Sequence, residues 1–253
     1  MAREKKSGGI HWRRWLIGAA ILAVCAGVSA AAYRAHRFAG ADPRFTLVRE
    51  RRDAFSVLGT KYVSRSKVVN VFAKDFGRSV YSIPLDERRR RLLAIDWVED
   101  ASVSRIWPDR LVVEIRERKP VAFASLPSGA MLIDASGVLM EPPAQAQFEF
   151  PVLSGISQDQ TDTRRAGQVA AYIRLRDELS AYFKDISEVD VANPQDLTIV
   201  ARVGNRALQL MLGDGEYGRR YKAFLSNYPE IQKRSPDVRT FDLRMNDRIT
   251  AKE

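Results

Sequence analysis

Residues 95–122 read IDWVEDASVSRIWPDRLVVEIRERKPVA. Val98 to Ile106 and Arg110 to Glu117 are β-type runs, and Trp107-Pro108-Asp109 between them is a turn signal. Glu117-Arg118-Lys119-Pro120 closes the second run. Proline cannot donate to a strand ladder, so Pro120 marks an element boundary. Nothing in the stretch forms a catalytic constellation.

Upstream, strand-like alternation between Phe45 and Leu58 ends at Gly59. Ser64 stands as an N-cap before Val68, Val69, Phe72 and Phe76, whose spacing predicts a helix running to Gly77. Pro84 opens a second helix over Leu85 to Ile95, with Leu85, Leu92 and Leu93 inward. The order β-α-α-β-β in one small unit makes a self-sufficient core, two helices against a three-stranded sheet. Arg88 to Arg91 lie on the second helix. Helical geometry scatters four consecutive residues around the axis, so they read as a solvated face with one side chain snorkelling. A docking patch for acidic groups is the alternative reading.

Downstream, short β runs cover Val121–Ala124, Met131–Ile133, Val138–Met140 and Pro151–Leu153, with Asp134 to Gly137 as a hairpin turn. Arg164 to Phe183 is expected to be a helix, Ile186–Val191 a strand, and Leu197–Val203 with Arg206–Leu212 a hairpin about Gly204-Asn205. Tyr217, Tyr221, Phe224, Leu225, Tyr228 and Ile231 mark another amphipathic helix whose aromatic stripe is core. A last strand is expected from Arg239 to about Met245, extending toward Ile249. Phe241, Leu243 and Met245 face one way; Asp242 and Arg244 face the other.

Trp15 to Tyr33 is uncharged and would span about 28 Å at ~1.5 Å per residue, enough for a bilayer core. Trp12, Trp15 and Tyr33 suit the interfacial belts, and Arg13, Arg14, Arg34 and Arg37 bracket the run. A cleavable signal peptide ending near Val28-Ser29-Ala30 is the rival. The uncharged run continues past that point, which favours an uncleaved anchor. The basic count is five before the segment and six in the twenty residues after it, so charge does not decide the orientation. A short basic tail before the anchor and a long folded region after it favour an N-terminus inside. Ala35 to Pro43 reads as a short connector. The expected division is 1–14 cytoplasmic tail, 15–33 transmembrane helix, 34–44 connector, 45–119 a first domain and 120–253 a β domain.

The net charge is +10, of which residues 1–33 carry five bases and one acid. The rest holds 36 bases against 30 acids, a mixed surface poorly suited to a phosphate groove, so no nucleic acid is expected. The one cysteine, Cys25, lies in the apolar segment, and both histidines, His11 and His36, flank it. A disulfide framework, a thiolate nucleophile, a His triad or a His/Cys metal centre in the folded region is thereby excluded. No GxSxG, SxxK, Walker loop or HExxH occurs. Gly213-Asp214-Gly215-Glu216 lacks the carboxylates of a calcium loop and reads as a turn. No catalytic residue, cofactor or metal site is expected.

Several motifs then carry a resemblance. They are Gly59, Trp97-Val98, Ala101-Ser102-Val103, Arg105, Trp107-Pro108, Leu111 and Glu117 to Ala122. Further on come Ile133-Asp134 with Gly137-Val138, Pro151-Val152-Leu153 with Gly155, and Phe241-Asp242-Leu243-Arg244. With the anchor before them, they resemble the FtsQ/DivIB family of bacterial cell-division proteins over roughly residues 45–249. Asp96 replaces a usual proline, Met245 stands where an aromatic is common, and little follows the last strand. The resemblance implies an α+β chain: one N-terminal transmembrane helix, a POTRA domain (β-α-α-β-β), then an open β-sheet domain flanked by helices. It implies a divisome scaffold in the cell inner membrane, enriched at the septum. Its partners would be FtsB- and FtsL-like proteins and the septal peptidoglycan synthase. The terminal strand, as a sheet edge, offers unpaired backbone groups to an added strand. Phe241, Asp242, Leu243, Arg244, Met245, Asp247 and Arg248 are therefore the expected partner-binding residues. Glu117, Arg118, Lys119 and Pro120 are the expected junction between domains. A POTRA-bearing envelope chaperone or secretion component, or an exported soluble protein, is the alternative.

Overall fold

The computed structural model describes residues 11–51, 53–144, 146–245 and 248–252. The chain divides into two compact units between Arg116 and Glu117.

The first unit begins with α1 (His11–Ala41), whose Trp15–Arg34 portion is long and apolar enough to cross a membrane. The expected connector is instead helical as far as Ala41. Ala35, Ala39 and Ala41 favour helix, and the stop comes at Asp42, held extended because it precedes Pro43. A 3₁₀ turn covers Pro43–Phe45. Only Phe55–Leu58 of the alternating stretch is strand (β1). The helix expected to reach Gly77 stops earlier, as α2 (Arg65–Val71). Beyond it the chain tightens into i→i+3 turns, with Ala73, Asp75 and Arg78 amides bonded to the Asn70, Phe72 and Asp75 carbonyls. Ser64 sits at the N-cap but makes no side-chain cap; its hydroxyl lies 2.6 Å from that of Ser66.

After α3 (Leu85–Leu93), β2 (Val98–Ile106) and β3 (Arg110–Glu117) form the hairpin read from the sequence. The sheet order is β1-β3-β2, with β1 parallel to β3. Gly59 ends β1 at φ +79°, where an added Cβ would lie 2.1 Å from the Ile115 carbonyl oxygen. Phe55, Phe72, Val68, Leu92, Val98 and Leu111 fill the core. The arginine run is not uniformly solvated. Arg88 is buried, with Nε and Nη2 donating to Asp75 at 2.5 and 2.9 Å, and the Asp75 side chain is fully buried. Arg89 bonds the Ala101 carbonyl and Asp100, and Arg91 pairs with Glu87.

The second unit is a nine-stranded sheet. Its first strands are β4 (Pro120–Leu126), β5 (Gly129–Asp134), β6 (Leu139–Met140) and β7 (Val152–Ser154). Then come α4 (Asp162–Glu178), β8 (Ile186–Asp190), β9 (Leu197–Val203), β10 (Arg206–Gly213) and α5 (Tyr217–Arg234). The last are β11 (Thr240–Asp242) and β12 (Thr250–Lys252). The order is β12-β11-β10-β9-β8-β7-β4-β5-β6. The pairs β7/β8 and β10/β11 are parallel, and parallel neighbours need a crossover; α4 and α5 are those crossovers. Tyr172 of α4 and Phe224 of α5 pack into the sheet core with Leu153, Val189, Leu210 and Phe241.

Two expectations change here. The helix expected to run to Phe183 stops at Glu178, after which the Tyr182 and Asp185 amides bond three residues back, turning the chain into β8. The last strand is also not the stretch 239–245. Strand β11 is three residues long, and β12 follows it and covers it.

Candidate functional site

The expected partner-binding residues do not share one surface. Phe241 is buried, its ring 5.2 Å from Phe224 and edge-on to Tyr228 at 6.2 Å. Leu243 is buried as well, and its amide donates to the Met211 carbonyl at 2.9 Å. Asp242 and Arg244 form a fork with each other: Nε to Oδ1 at 2.9 Å and Nη2 to Oδ2 at 2.6 Å. Arg244 Nη1 reaches on to Asp196 at 3.0 Å, and Lys252 lies 3.7 Å from Asp242. This network ties β11 to the loop before β9 and to β12. Hydrogen bonding from the Arg244 guanidinium holds the Asp242 carboxyl down to about 2 and pushes the Arg244 pKa up. These two charges are therefore engaged within the fold. Met245 and Arg248 remain exposed, and Asp247 lies outside the described residues.

The edge strand at this end of the sheet is β12. Gln209 donates to the Arg239 carbonyl and Leu243 to the Met211 carbonyl, so residues 239, 241 and 243 face β10. Thr240 and Asp242 must then turn their backbone groups to their partners Lys252 and Thr250. By the same alternation, Ala251, opposite Phe241, points its N–H and C=O away from β11. Strand β12 is exposed at all three residues. No periodic signal marks Thr250-Ala251-Lys252, and the strand expected from the sequence extended only toward Ile249.

Beside this edge runs a groove of ≈ 530 Å³ between α5 and the segment leading to β12. Ala223, Ile231, Leu243, Met245 and Ile249 supply apolar lining, and Arg219, Arg220, Asn227 and Arg248 supply polar lining. Arg219 is paired with Glu216 at 2.6 Å. Arg248 Nε lies 3.0 Å from the Met245 sulfur, and its guanidinium has no carboxylate partner among the described residues. A groove of mixed apolar and basic lining beside an edge strand suits an extended peptide carrying apolar and acidic side chains.

At the junction, β3 ends at Glu117 and β4 starts at Pro120. Arg118 donates to Asp134 at 2.9 Å, while Lys119 is exposed. The same Asp134 accepts from the Ser136 and Val138 amides at 2.9 and 2.8 Å, so one carboxylate fixes both the β5–β6 turn and the entry to β4. Among the described residues, no three His, Cys, Asp or Glu side chains are grouped to hold a metal ion.

The comparisons with known proteins agree with this architecture. The profile described as "POTRA domain, FtsQ-type" matches residues 53–118. That described as "Cell division protein FtsQ/DivIB, C-terminal" matches residues 124–244. A protein named cell division protein FtsQ in Koribacter versatilis is 35% identical over 242 residues, 92% of this chain and 68% of that one. Proteins of the same name in Geotalea daltonii and Syntrophotalea carbinolica are each 24% identical, covering 93% and 96% of this chain and 85% and 88% of their own. The two profiles fall on the two compact units, one on the β-α-α-β-β unit and one on the nine-stranded sheet, and the chain belongs to the FtsQ/DivIB family of cell division proteins.

Proposed function

We propose that this chain is a non-enzymatic, bitopic scaffold of the division machinery. Residues 1–14 form its cytoplasmic tail and 15–33 its inner-membrane span. A connector at 34–44, helical as far as Ala41, leads to the POTRA domain at 45–119 and the β domain at 120–253, both outside the cytoplasm and enriched at the septum. It recruits FtsB- and FtsL-type partners and through them helps control septal peptidoglycan synthesis. The observation that carries the partner reading is the outward-facing backbone of Ala251 on β12, beside the Met245–Arg248 groove. Backbone pairing supplies affinity there, and the groove supplies selection. Phe241, Leu243 and the Asp242–Arg244 fork hold β11 in place so that β12 has a template.

Imaging a functional fluorescent fusion in growing cells tests the assignment. A band at midcell is expected. Uniform envelope signal through the cell cycle would count against a septal scaffold.

A further inference from the structure

In the first unit, the motif residues Arg105 and Trp107-Pro108 have no part in the β12 edge. Trp107 is 53% exposed, and two further aromatics gather on it. Phe45 meets it edge-on at 5.7 Å, and Tyr81 lies at 6.3 Å. The arrangement is built rather than incidental. Arg105 donates to the Val80 carbonyl at 2.7 Å and the Ile83 carbonyl at 2.5 Å, fastening the turn that carries Tyr81 to β2. Between residues 42 and 116 the exposed large apolar side chains are Val48, Leu58, Tyr81, Ile106 and Trp107. Tyr81 and Trp107 belong to the aromatic cluster, and Val48 to the segment that enters it from α1.

The chain places this patch where it leaves the apolar helix. The membrane-length portion of α1 ends at Arg34 and the helix at Ala41, seven residues or about 10 Å later. A headgroup layer is roughly 5–8 Å deep, so Pro43–Phe45 emerges just past its outer boundary. Asp42 is still bonded to Phe38 through its amide at 3.0 Å. Four residues on, Thr46 bridges Ser79, and Leu47 exchanges hydrogen bonds with Arg78 and Gly77, which brings Tyr81 beside the exit. Arg44 and Arg78, well exposed, border the region.

We propose that Trp107, Tyr81 and Phe45 form a membrane-interface foot, seating the POTRA domain on the lipid headgroups of the bilayer that α1 crosses. Tryptophan and tyrosine favour that layer because it offers apolar contact and hydrogen-bonding water together, and arginine favours its phosphates. The foot rests on α1 being an uncleaved anchor. It would fix the height of the first unit above the membrane independently of any partner at β12.

The test uses the full chain in nanodiscs of phosphatidylethanolamine and phosphatidylglycerol, with and without bromine on the upper acyl carbons. Emission of the Trp107→Phe chain is subtracted from that of the unchanged chain, and Trp107→Tyr gives an independent subtraction. The expected Trp107 component loses most of its intensity in brominated discs and resists aqueous iodide. An unquenched, iodide-accessible component would overturn the foot while leaving the anchor intact, and would mark the patch as a protein-binding surface. Release of the chain from membranes by alkaline carbonate would overturn the anchor and the foot with it.

Discussion

Removing Asp75 should cost the first unit several kcal/mol, about 3–5 by the usual penalty for breaking a buried ion pair. Its carboxylate is fully buried and accepts two hydrogen bonds from Arg88, itself nearly enclosed, with Arg78 at 3.5 Å as an outer partner. Asp75→Ala leaves the buried Arg88 guanidinium with only the half-exposed Glu87 at 3.1 Å, and Arg88→Met leaves the buried carboxylate with only Arg78 at 3.5 Å. Breaking a buried pair from one side costs about 3–5 kcal/mol. Removing both charges together costs about 1–2 kcal/mol, since the desolvation penalty disappears with the pair and a modest packing loss remains. The double variant should therefore be more stable than either single one, with a coupling of roughly 3 kcal/mol or more. The probe is built in. All four tryptophans, at 12, 15, 97 and 107, precede the second unit, and Trp97 is buried against Tyr62 at 5.0 Å. Tryptophan emission during urea titration of the full chain in micelles therefore reports the first unit. Additive losses, or singles costing under about 1 kcal/mol, would refute the reasoning, because an exposed pair behaves that way.

Other outcomes follow from the second unit. The Asp242 carboxyl, held near 2 by Arg244, has a folded pKa below its unfolded value. Its contribution is thus complete above about pH 4 and lost as pH falls toward 2, amounting to roughly 1 kcal/mol after solvent screening. Acid titration of stability should show that loss in the unchanged chain, and Asp242→Asn should flatten it; an identical acid profile in the variant would remove the fork from the account. Tyr172 donates to the Val121 carbonyl at 3.0 Å and burial pushes its hydroxyl up to about 12, so Tyr172→Phe should destabilise by about 1 kcal/mol in thermal unfolding. Gly59→Ala should cost more than the ~1 kcal/mol of a simple left-handed site, because its Cβ would meet backbone oxygen; a smaller loss in thermal unfolding would mean that β1 shifts freely.

The fold was legible where burial imposes a period. Val98–Ile106, Arg110–Glu117 and Leu197–Val203 were read to the residue because one face of each is buried and every second side chain shows it. Elements without such a face were missed. Strand β12 has three exposed residues and no alternation, and the helical extension past Tyr33 carries none of the apolar signal that marked the span. Arg88 looked like its three neighbours because sequence gives no hint that the i→i+3 turns after α2 deliver Asp75 to it. The expected binding residues fall on and after β11, which β12 covers, so the strand at this edge is the next one along the chain. Asp242 and Arg244 sit two apart on one face of an extended chain, and that spacing already allowed them to satisfy each other.

The central claim is that a partner strand adds to β12. Ala251→Pro tests it most directly. It deletes the outward-facing N–H while leaving Thr250 and Lys252 to pair with β11, a position where an edge strand tolerates proline. Binding of an FtsB-type partner segment to the full chain should weaken about tenfold or more, equivalent to about 1.4 kcal/mol, with thermal unfolding unchanged. Affinity equal to that of the unaltered chain would contradict strand addition at this edge.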